Sequence, residues 1–538
     1  MRRSAALCLL ASGLWLLTAG CARRATNVQR GDREQVLYRG IGSEPAGLDP
    51  QLATGLAEQC VTSALFEGLV TEDPHDLHPV PGVADHWEIS PDGLTYTFHL
   101  RADARWSNGA PVTAPDFVAS FRRILTPSLA ADNATLFYVL LNAEAFNRGR
   151  LADFGQVGCA ALDARTLQLT LAHPAPYFLE LLTQMPFLPV PVSVIAQAGP
   201  ADQRGNPWAR PGRLVGNGPF TLRSWRPNEE IVVVKSPAYW DASRVRLQAI
   251  HFYPIDSRDA EERAFRAGQL HVTYTLPAAK VDAYRQNAPQ LLRIDPYLNT
   301  YFFRLNVRRP PLDDERVRRA LALAIDRAAI AGQVLRGGQQ PAASFTPPGL
   351  PGYTPPAGVG TDVAAARQLL AAAGFPDGKG LPPLELLLDN SGNLRLVAEA
   401  VQEMWRRELG VDVRLINQEL KVVLADRRAG QYQIVLSDWV GDYLDPTTFL
   451  NVWRGDSGNN HTGWSSSEYD ALLNAADRTV DPVARAALLR QAEARLLAAA
   501  PVIPLYFNPH VFLLQPSVHG WYPTVLDHHP YQDVWLGP

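Results

Sequence analysis

The stretch best equipped for chemistry is residues 434–450, IVLSDWVGDYLDPTTFL, in which three carboxylates stand within eight positions. Asp438, Asp442 and Asp445 follow the apolar run of a predicted core strand, among two aromatic side chains. An ionised carboxylate is costly to bury unless a cation or hydrogen-bond donors meet it. The residues alone leave two interpretations open. Either the stretch is structural, as a polar loop whose acids face water or as a helix cap at Asp445 ahead of Pro446, or part of it lines an apolar concavity.

Two other motifs suggest chemistry less strongly. GDSGNN at 455–460 is similar to the nucleophile loop of one class of serine protease, but Ser457 has no histidine or aspartate partner in a matching local context. GIGSEP at 40–45 begins like a dinucleotide fingerprint and has a proline in place of the third glycine. We expect no catalytic residue and no cofactor.

The histidines offer little for a metal. His75 and His78 are three positions apart in a proline-containing turn, with no second pair of ligands nearby in sequence. His528 and His529 are adjacent, so their side chains point in opposite directions in an extended chain. We interpret all four as solvated loop histidines and expect no metal site.

Composition limits the class of protein. The chain has 538 residues, of which 46% are hydrophobic, and this length predicts two or more lobes. The net charge is -4. Because no basic field or basic patch is present, the sequence excludes nucleic acid as a partner.

The first residues are typical of a secretory signal. Arg2 and Arg3 precede an apolar run over 5–19, which is shorter than the roughly 20 residues that span a bilayer. The small residues before Cys21 resemble the lipobox of bacterial lipoproteins, which predicts cleavage after residue 20 and a lipid on Cys21. An ordinary signal peptide with an incidental cysteine is the alternative.

Two cysteines remain after that cleavage, Cys60 and Cys159. Two are too few for a disulfide framework in a chain of this length. Either they form one bridge in an oxidising compartment or both are small buried side chains.

Helical and strand patterns alternate along the chain, which predicts a mixed α and β protein. A polar tether is expected before Val36. Predicted strands are LTYTFHL (94–100), IVVVK (231–235) and LELLLD (384–389), and predicted helices are LDDERVRRALALAIDRAAIAGQVL (312–335), the segment from Asn393 to Gly410, and DPVARAALLRQAEARLL (481–497). Proline-rich residues 346–360 are expected to form a surface loop.

Several motifs together resemble one family. They are GSEPAGLDP (42–50), LFEGLV (65–70), PGVADHWEISPDGLTYTFHLRADARWSNGAPVTAPDFVASFRRI (81–124), GNGPF (216–220), NPHVF (508–512) and DWVGDYLDPTTFLN (438–451). Together they resemble the extracytoplasmic oligopeptide-binding proteins that feed ATP-driven importers, solute-binding protein family 5. The likeness covers nearly all of the chain after residue 35.

The resemblance implies an α/β fold: a two-lobed periplasmic-binding-protein clamp with an additional inserted domain. The implied units are a signal peptide (1–20), a lipid-anchored tether (21–35), a discontinuous lobe I (36–65, 190–297 and 509–538), an inserted domain II (66–189) and lobe III (298–508).

The resemblance also implies ligand contacts. In the family an aspartate at the position of Asp442 holds the ammonium group of a bound peptide. Trp439 matches a tryptophan of that site, Tyr274 a cleft tyrosine, and Arg427 an arginine close to the ligand. Arg309 matches a basic residue used for short peptides. For Trp439, Tyr274 and Arg427, ordinary packing or a surface salt bridge is the alternative.

The carboxylate end of the ligand matches less well. Leu436 and Leu394 stand where family members have an arginine and a histidine, and Arg395 adjoins the second position. This departure implies a shifted preference in peptide length, for short or modified peptides.

The implied partners are a peptide, an ABC permease with its ATPase subunits, and a membrane reached through the lipid on Cys21. The protein is then a monomer on the periplasmic or cell-surface side. Two alternatives remain. The first is a binding protein of this fold for an oligosaccharide, haem or a nickel chelate. The second, from a different class, is a serine hydrolase.

Overall fold

The computed structural model describes residues 25–390 and 393–538. The predicted signal peptide and Cys21 lie outside the described residues. Within this part of the chain, no helix is both long enough and apolar enough to cross a bilayer.

The strands are, in chain order, β1 (Val36–Gly40), β2 (Val70–Glu72), β3 (Pro79–Pro81), β4 (Ala84–Ile89), β5 (Thr95–Leu100), β6 (Cys159–Ala161), β7 (Thr166–Thr170), β8 (Phe220–Arg226), β9 (Glu230–Lys235), β10 (Ala249–Tyr253), β11 (Leu292–Asp295), β12 (Asn299–Leu305), β13 (Gln340–Pro341), β14 (Leu384–Asp389), β15 (Val413–Gln418), β16 (Ile434–Val440), β17 (Val502–Phe507), β18 (His510–Leu513), β19 (Val518–His519) and β20 (Trp535–Leu536).

The α-helices are α1 (Asn27–Glu34), α2 (Leu56–Leu65), α3 (Ala114–Leu125), α4 (Ala143–Asn147), α5 (Phe178–Leu182), α6 (Val192–Ala198), α7 (Arg258–Arg266), α8 (Ala278–Asn287), α9 (Glu315–Leu323), α10 (Arg327–Ala329), α11 (Val363–Ala372), α12 (Leu394–Leu409), α13 (Leu420–Ala429), α14 (Thr447–Leu450), α15 (Ser467–Asp477) and α16 (Pro482–Ala499). Shorter 3-10 turns lie at Pro127–Leu129, Asp132–Val139, Phe154–Gln156, Met185–Phe187, Pro289–Leu291, Pro376–Gly378 and Asn451–Trp453, and a π-helix at Ile330–Leu335.

Three sheets organise the described chain. Strands β1-β10-β9-β8 form one sheet, β4-β5-β7-β6 a second, and β13-β17-β12-β16-β14-β15 a third with six strands. The first two sheets each have a core of their own, and the six-stranded sheet packs apolar clusters on both faces. The sheets fall within the segments predicted for lobe I, domain II and lobe III. The division into those units stays a prediction that these separate cores support.

Strand β12 lies inside the six-stranded sheet and is apolar on both faces. Phe303 packs with the helices on one face, whereas Phe302 packs with Phe345 and Trp453 on the other. Successive side chains of a strand point to opposite faces, so a strand buried on both sides needs a continuous apolar run. The run is broken by Arg304, which is 1% exposed.

The chain crosses between the first and third sheets twice. Strand β11 pairs with β18 next to the first sheet, whereas β12 and β17 pair within the third. The two connections, 296–298 and 508–509, run side by side, and the Asn508 N–H donates to the Asn299 carbonyl over 3.0 Å. Two short connections that lie side by side in this way are typical of a hinge about which lobes rotate.

A helix precedes Val36, where the sequence indicated none. The segment expected to be a tether contains α1, whose first turn is closed by a capping box between Thr26 and Gln29. The helix lies close to β1, because a Cβ on Gly31 would stand 2.3 Å from the Val36 carbonyl oxygen. The tether prediction is therefore wrong for residues 27–34.

Most predicted elements are confirmed, including β5, β9, β14, α12 and α16. The predicted helix over 312–335 is wrong as a single element. Helix α9 ends at Leu323, and the Asp326 carboxylate accepts from the Ala329 N–H over 2.9 Å to start a new turn, followed by the π-helix. An aspartate side chain competes for backbone donors in this way and favours a helix start over a helix interior.

Candidate functional site

The three carboxylates that follow β16 have different environments. Asp445 is buried and accepts two hydrogen bonds from the Arg485 guanidinium, 2.6 and 2.9 Å long. It also accepts from the Thr447 N–H at the start of α14 over 3.0 Å. Asp445 thus contacts the first turn of α14, and an internal cation neutralises its charge.

Asp442 has no such cation among the described residues. Its side chain is exposed in a cleft, yet protein encloses it closely enough for loss of hydration to matter. Desolvation raises the pKa of Asp442 to about 6, and a hydrogen bond with Thr448 opposes this shift. No arginine, lysine or histidine contributes to its pKa. The carboxylate therefore stays uncompensated within the described chain.

Thr448 positions both Asp442 and Trp439. Its hydroxyl oxygen accepts from the Asp442 N–H over 2.8 Å, and its carbonyl accepts from the Trp439 indole N–H over 2.8 Å. Gly441 allows the close turn between them, since a Cβ there would stand 2.8 Å from the Phe449 ring. The backbone that presents the carboxylate is therefore fixed by α14.

A cavity of about 340 Å³ contains this carboxylate. Trp439, Asp442 and Asn459 line it from the side of the six-stranded sheet, and Tyr177 and Leu181 line it from the segment predicted as domain II. The two sides also touch directly, because Tyr177 stacks on Tyr443 with ring centroids 5.4 Å apart. Residues distant in sequence thus enclose one acidic, partly aromatic pocket.

Asp438 lies on the face of the six-stranded sheet opposite to that of Trp439. It pairs in register with Tyr301 and accepts a long hydrogen bond of 3.5 Å from the Asn299 amide. Burial raises its pKa, and the charges of Asp389 and Arg427 act on it in opposite senses. The alternation of β16 therefore separates Asp438 from the cavity that Trp439 and Asp442 share.

Tyr274 lines a different cavity, of about 110 Å³, together with Tyr297, Cys60 and Asp527. Its backbone is held at both ends: the Tyr274 N–H donates to Glu261 over 2.7 Å, and its carbonyl accepts from the His510 ring over 2.7 Å. The described contacts do not bring Tyr274 together with Asp442.

The two arginines predicted to contact ligand belong to different elements. Arg427 is half-buried in the last turn of α13, and its Nε has no hydrogen-bond partner among the described residues. Arg309 is exposed beyond Leu305. In register, Asn299 lies opposite Val440 and Leu305 opposite Ile434, so a ladder of about 20 Å separates Arg309 from the Asp442 end.

Leu436 and Leu394 pack in the same apolar cluster between the six-stranded sheet and α12. Neither position offers a cation to a ligand. Arg395, beside the second leucine, is exposed and bonded to Glu399 over 2.7 Å. At the two positions where family members have an arginine and a histidine, this chain therefore has buried leucines that pack in the core.

The interpretation of His528 and His529 as solvated is wrong. The His528 ring lies 2.9 Å from a Glu72 oxygen and is largely buried, and the His529 ring is buried against Asp527 at 2.9 Å. The two side chains contact different acids, and protein encloses both of them. Cys60 and Cys159 are free thiols.

Ser457 lines the cavity of Asp442, but its contacts are not those of a nucleophile. Its hydroxyl oxygen accepts from the Asn459 N–H over 3.3 Å. Among the described contacts, no histidine donates to or accepts from Ser457, and general-base activation requires such a contact.

Comparison with known proteins decides the family. The sequence profile of the bacterial extracellular solute-binding proteins, family 5 (middle part), matches residues 78–461. The chain belongs to this family. The resemblance read from the sequence motifs is thereby confirmed, and with it the two-lobed α/β clamp. The members of this family are binding proteins.

Individual relatives match over almost their whole length. The periplasmic oligopeptide-binding protein OppA of Salmonella typhimurium is 36% identical over 530 residues, 95% of each chain. The structure of the Escherichia coli murein tripeptide-binding protein MppA is similar with a TM-score of 0.79 at 35% identity, over 93% of this chain and 98% of that one. Haemophilus influenzae OppA in complex with RPPGFSPFR has a TM-score of 0.78 at 31% identity, over 94% and 99%.

Sequence reasoning missed several residues of the site. Thr448 fixes the positions of Trp439 and Asp442. Arg485 neutralises Asp445, so that carboxylate is not free to bind a ligand. Thr448 lies in the same motif, six residues after Asp442, so the sequence could have indicated it. Arg485 and Tyr177 are distant in sequence, and nothing in the local pattern around either one points to Asp445 or to the cavity.

Proposed function

We propose that this protein captures peptides outside the cytoplasm by closing its lobes around an extended chain, and delivers them to an ABC importer. The observation that carries the proposal is the Asp442 carboxylate, which faces a cavity and meets no cation of the described chain. A peptide's terminal ammonium group supplies that cation. The family and its relatives that bind peptides support the choice of ligand.

The rest of the cleft suits a carrier of many sequences. An extended peptide offers a backbone donor and acceptor at nearly every residue, so pairing with strand edges gives affinity without reading side chains. Trp439 then packs beside the first residue, Tyr274 contacts the ligand from lobe I, and Arg427 and Arg309 serve ligand carboxylates at increasing distance from Asp442. Ligand contacts on both lobes favour the closed state.

The cellular arrangement follows from the same proposal. The protein is a monomer, held on the periplasmic or cell-surface side by a lipid on Cys21. It passes its cargo to a membrane permease with cytoplasmic ATPases, and it neither hydrolyses the peptide nor uses a cofactor.

Calorimetry with trialanine and N-acetyl-trialanine tests the proposal. Acetylation removes the ammonium charge and little else, so we expect it to weaken binding by about tenfold to a hundredfold, the range for a hydrogen bond to a charged group. Equal binding of the two peptides contradicts the role of Asp442. Mass spectrometry of the same mixtures checks that no peptide is cleaved.

A further inference from the structure

A groove lies between α7 and α8, within the segments predicted for lobe I. Its volume is about 620 Å³, larger than that of the Asp442 cavity and within the range of pockets that bind small molecules. Its described lining shares no residue with the cavities of Asp442 and Tyr274. The groove is therefore a separate feature of the molecule, and the capture of peptides does not use it.

The floor of the groove is the edge of an apolar cluster. Phe265 of α7 is 1% exposed, and Tyr284 of α8 and Leu291 are half-buried against the same cluster. Ala283 also lines the groove and is exposed. The groove thus leaves part of this apolar cluster open to solvent.

The charged residues that line the groove neutralise one another. Glu262 forms an ion pair with Lys280 and lies 3.7 Å from the Arg266 guanidinium. The Tyr284 hydroxyl donates to the same carboxylate over 2.8 Å. No nitrogen or oxygen of the described lining side chains is buried without a partner. Because these polar groups satisfy one another, a ligand gains most by offering apolar surface.

The first turn of α1 lies at the rim of this groove. Gly268 lines the groove, and its carbonyl accepts from the Val28 N–H over 3.0 Å. A Cβ on Gly268 would stand 3.0 Å from the Thr26 side chain, and the Asn27 amide donates to the Gln269 carbonyl over 3.4 Å. These contacts fix the start of α1 beside the groove.

The predicted lipid attachment site is within reach of the groove. Cys21 comes five residues before Thr26. An extended chain spans at most about 3.3–3.6 Å per residue, so the cysteine lies within about 18 Å of the rim. Helix α8 has ten residues and is about 15 Å long. A lipid attached to Cys21 can therefore enter the groove without displacing α1.

We propose that the groove between α7 and α8 binds an acyl chain of the lipid on Cys21, so that the protein holds part of its own anchor. This proposal rests on the lipid attachment in the proposed function. The apolar floor, the mutual neutralisation of the lining charges and the short connection to Cys21 support this occupant. An acyl chain in the groove is withheld from the bilayer, so the groove and the membrane compete for the anchor.

Photo-crosslinking in the full-length, membrane-bound protein tests the occupant. The photoreactive residue p-benzoylphenylalanine replaces Ala283, which lines the groove, or in a control Arg285, which is exposed on the same helix and does not line it. We expect position 283 to form a cross-link to the N-terminal lipopeptide and position 285 to form none. Mass spectrometry identifies the product, and mixing isotope-labelled with unlabelled protein shows whether both ends belong to one chain.

Other products overturn the proposal. A phospholipid alone at position 283 assigns the groove to the membrane, a second copy of the chain assigns it to a dimer, and a different protein assigns it to a partner. Equal yields of lipopeptide from positions 283 and 285 show only that the N-terminus is near. The absence of any cross-link at position 283 also overturns the proposal.

The Cys21→Ser variant, which cannot carry the lipid, tests the groove itself. With the anchor missing, the groove should bind hexadecanoate, and calorimetry measures the affinity. Adding Ala283→Glu should weaken this binding by about tenfold or more, because two methylenes denied burial already give that factor. Adding Gln286→Glu instead, at an exposed position outside the lining, is the matched control and should leave it unchanged. Equal affinities for hexadecanoate in the two variants overturn the proposal.

Failure of this proposal is distinguishable from failure of the proposed function. The mass of the N-terminal fragment shows whether Cys21 carries a lipid, and its absence overturns both the anchor and the groove's role. A lipid on Cys21 without a cross-link to position 283 overturns the groove's role alone. Trialanine affinity should be the same in Ala283→Glu and in the natural protein, because the groove and the Asp442 cavity share no lining residue.

Discussion

The Arg485 guanidinium and the Asp445 carboxylate are bonded through two hydrogen bonds of 2.6 and 2.9 Å, and both side chains are buried. Three residues earlier in the chain, Asp442 has no equivalent partner among the described residues. The two acids belong to one sequence motif, but the fold gives them opposite roles: Asp445 ties the motif to α16, and Asp442 is left for a ligand.

Asp442→Asn should weaken trialanine binding by about tenfold to a hundredfold, because the amide cannot pair with an ammonium charge. Thermal stability should stay the same or rise slightly, since the substitution removes an uncompensated carboxylate. Calorimetry and thermal melting measure the two effects. Asp456→Asn, at an exposed turn of the same unit, is the matched control and should change neither.

Peptide affinity should depend on pH through Asp442. Desolvation raises its pKa to about 6 in the free protein, and a bound ammonium group favours the ionised form. Binding at lower pH must therefore release a proton, and affinity should fall by up to about tenfold per unit as the pH drops below 6. Calorimetry between about pH 5 and pH 8 in two buffers measures the change. In Asp442→Asn this step should vanish; its persistence there would assign the titration to another group.

Breaking the Arg485–Asp445 pair should destabilise the protein. Arg485→Met or Asp445→Asn leaves one buried charge without a partner, which costs about 3–5 kcal/mol. Urea unfolding gives the free energy of each variant. The double variant should lose less than the sum of the two single changes, because no unpaired charge remains. Additive losses would show that the pair does not act as a unit.

The contact between His528 and Glu72 should make stability depend on pH. Burial alone lowers the pKa of His528, but the adjacent Glu72 carboxylate outweighs it and the pKa is raised. The contact therefore stabilises the fold fully below the unfolded histidine's pKa of about 6.5, and this stabilisation disappears as the pH rises through the higher folded value. Melting curves from about pH 5.5 to pH 9 should show the loss.

His528→Gln serves as the test of that assignment, since glutamine keeps a hydrogen-bond donor without a titrating charge. The variant should melt lower than the natural protein at about pH 6 and differ little from it at about pH 9. A variant whose melting curve keeps the full pH dependence would place the titrating group elsewhere.

The sequence alone determined the kind of protein and the position of its main acid. Alternating and helical periodicities predicted β5, β9, β14, α12 and α16, because local burial sets those periods. The motif around Asp442 was visible because its three acids directly follow a predicted strand in the sequence.

The local sequence pattern gave wrong predictions where contacts with residues distant in sequence determine the local structure or the burial of a side chain. The polar segment before Val36 becomes α1 because β1 and the His271 side chain provide a surface for it. His528 and His529 are buried because Glu72 and Asp527 meet them.

The charge balance of the cleft was decided by tertiary structure alone. Nothing in the sequence around Asp445 shows that Arg485, forty residues later, neutralises it. Nothing around Arg304 shows that the fold buries it with one carbonyl partner beside a second arginine. A charge is costly or harmless according to which groups surround it in space, and that arrangement exists only once the sheet, its helices and the opposing lobe have come together.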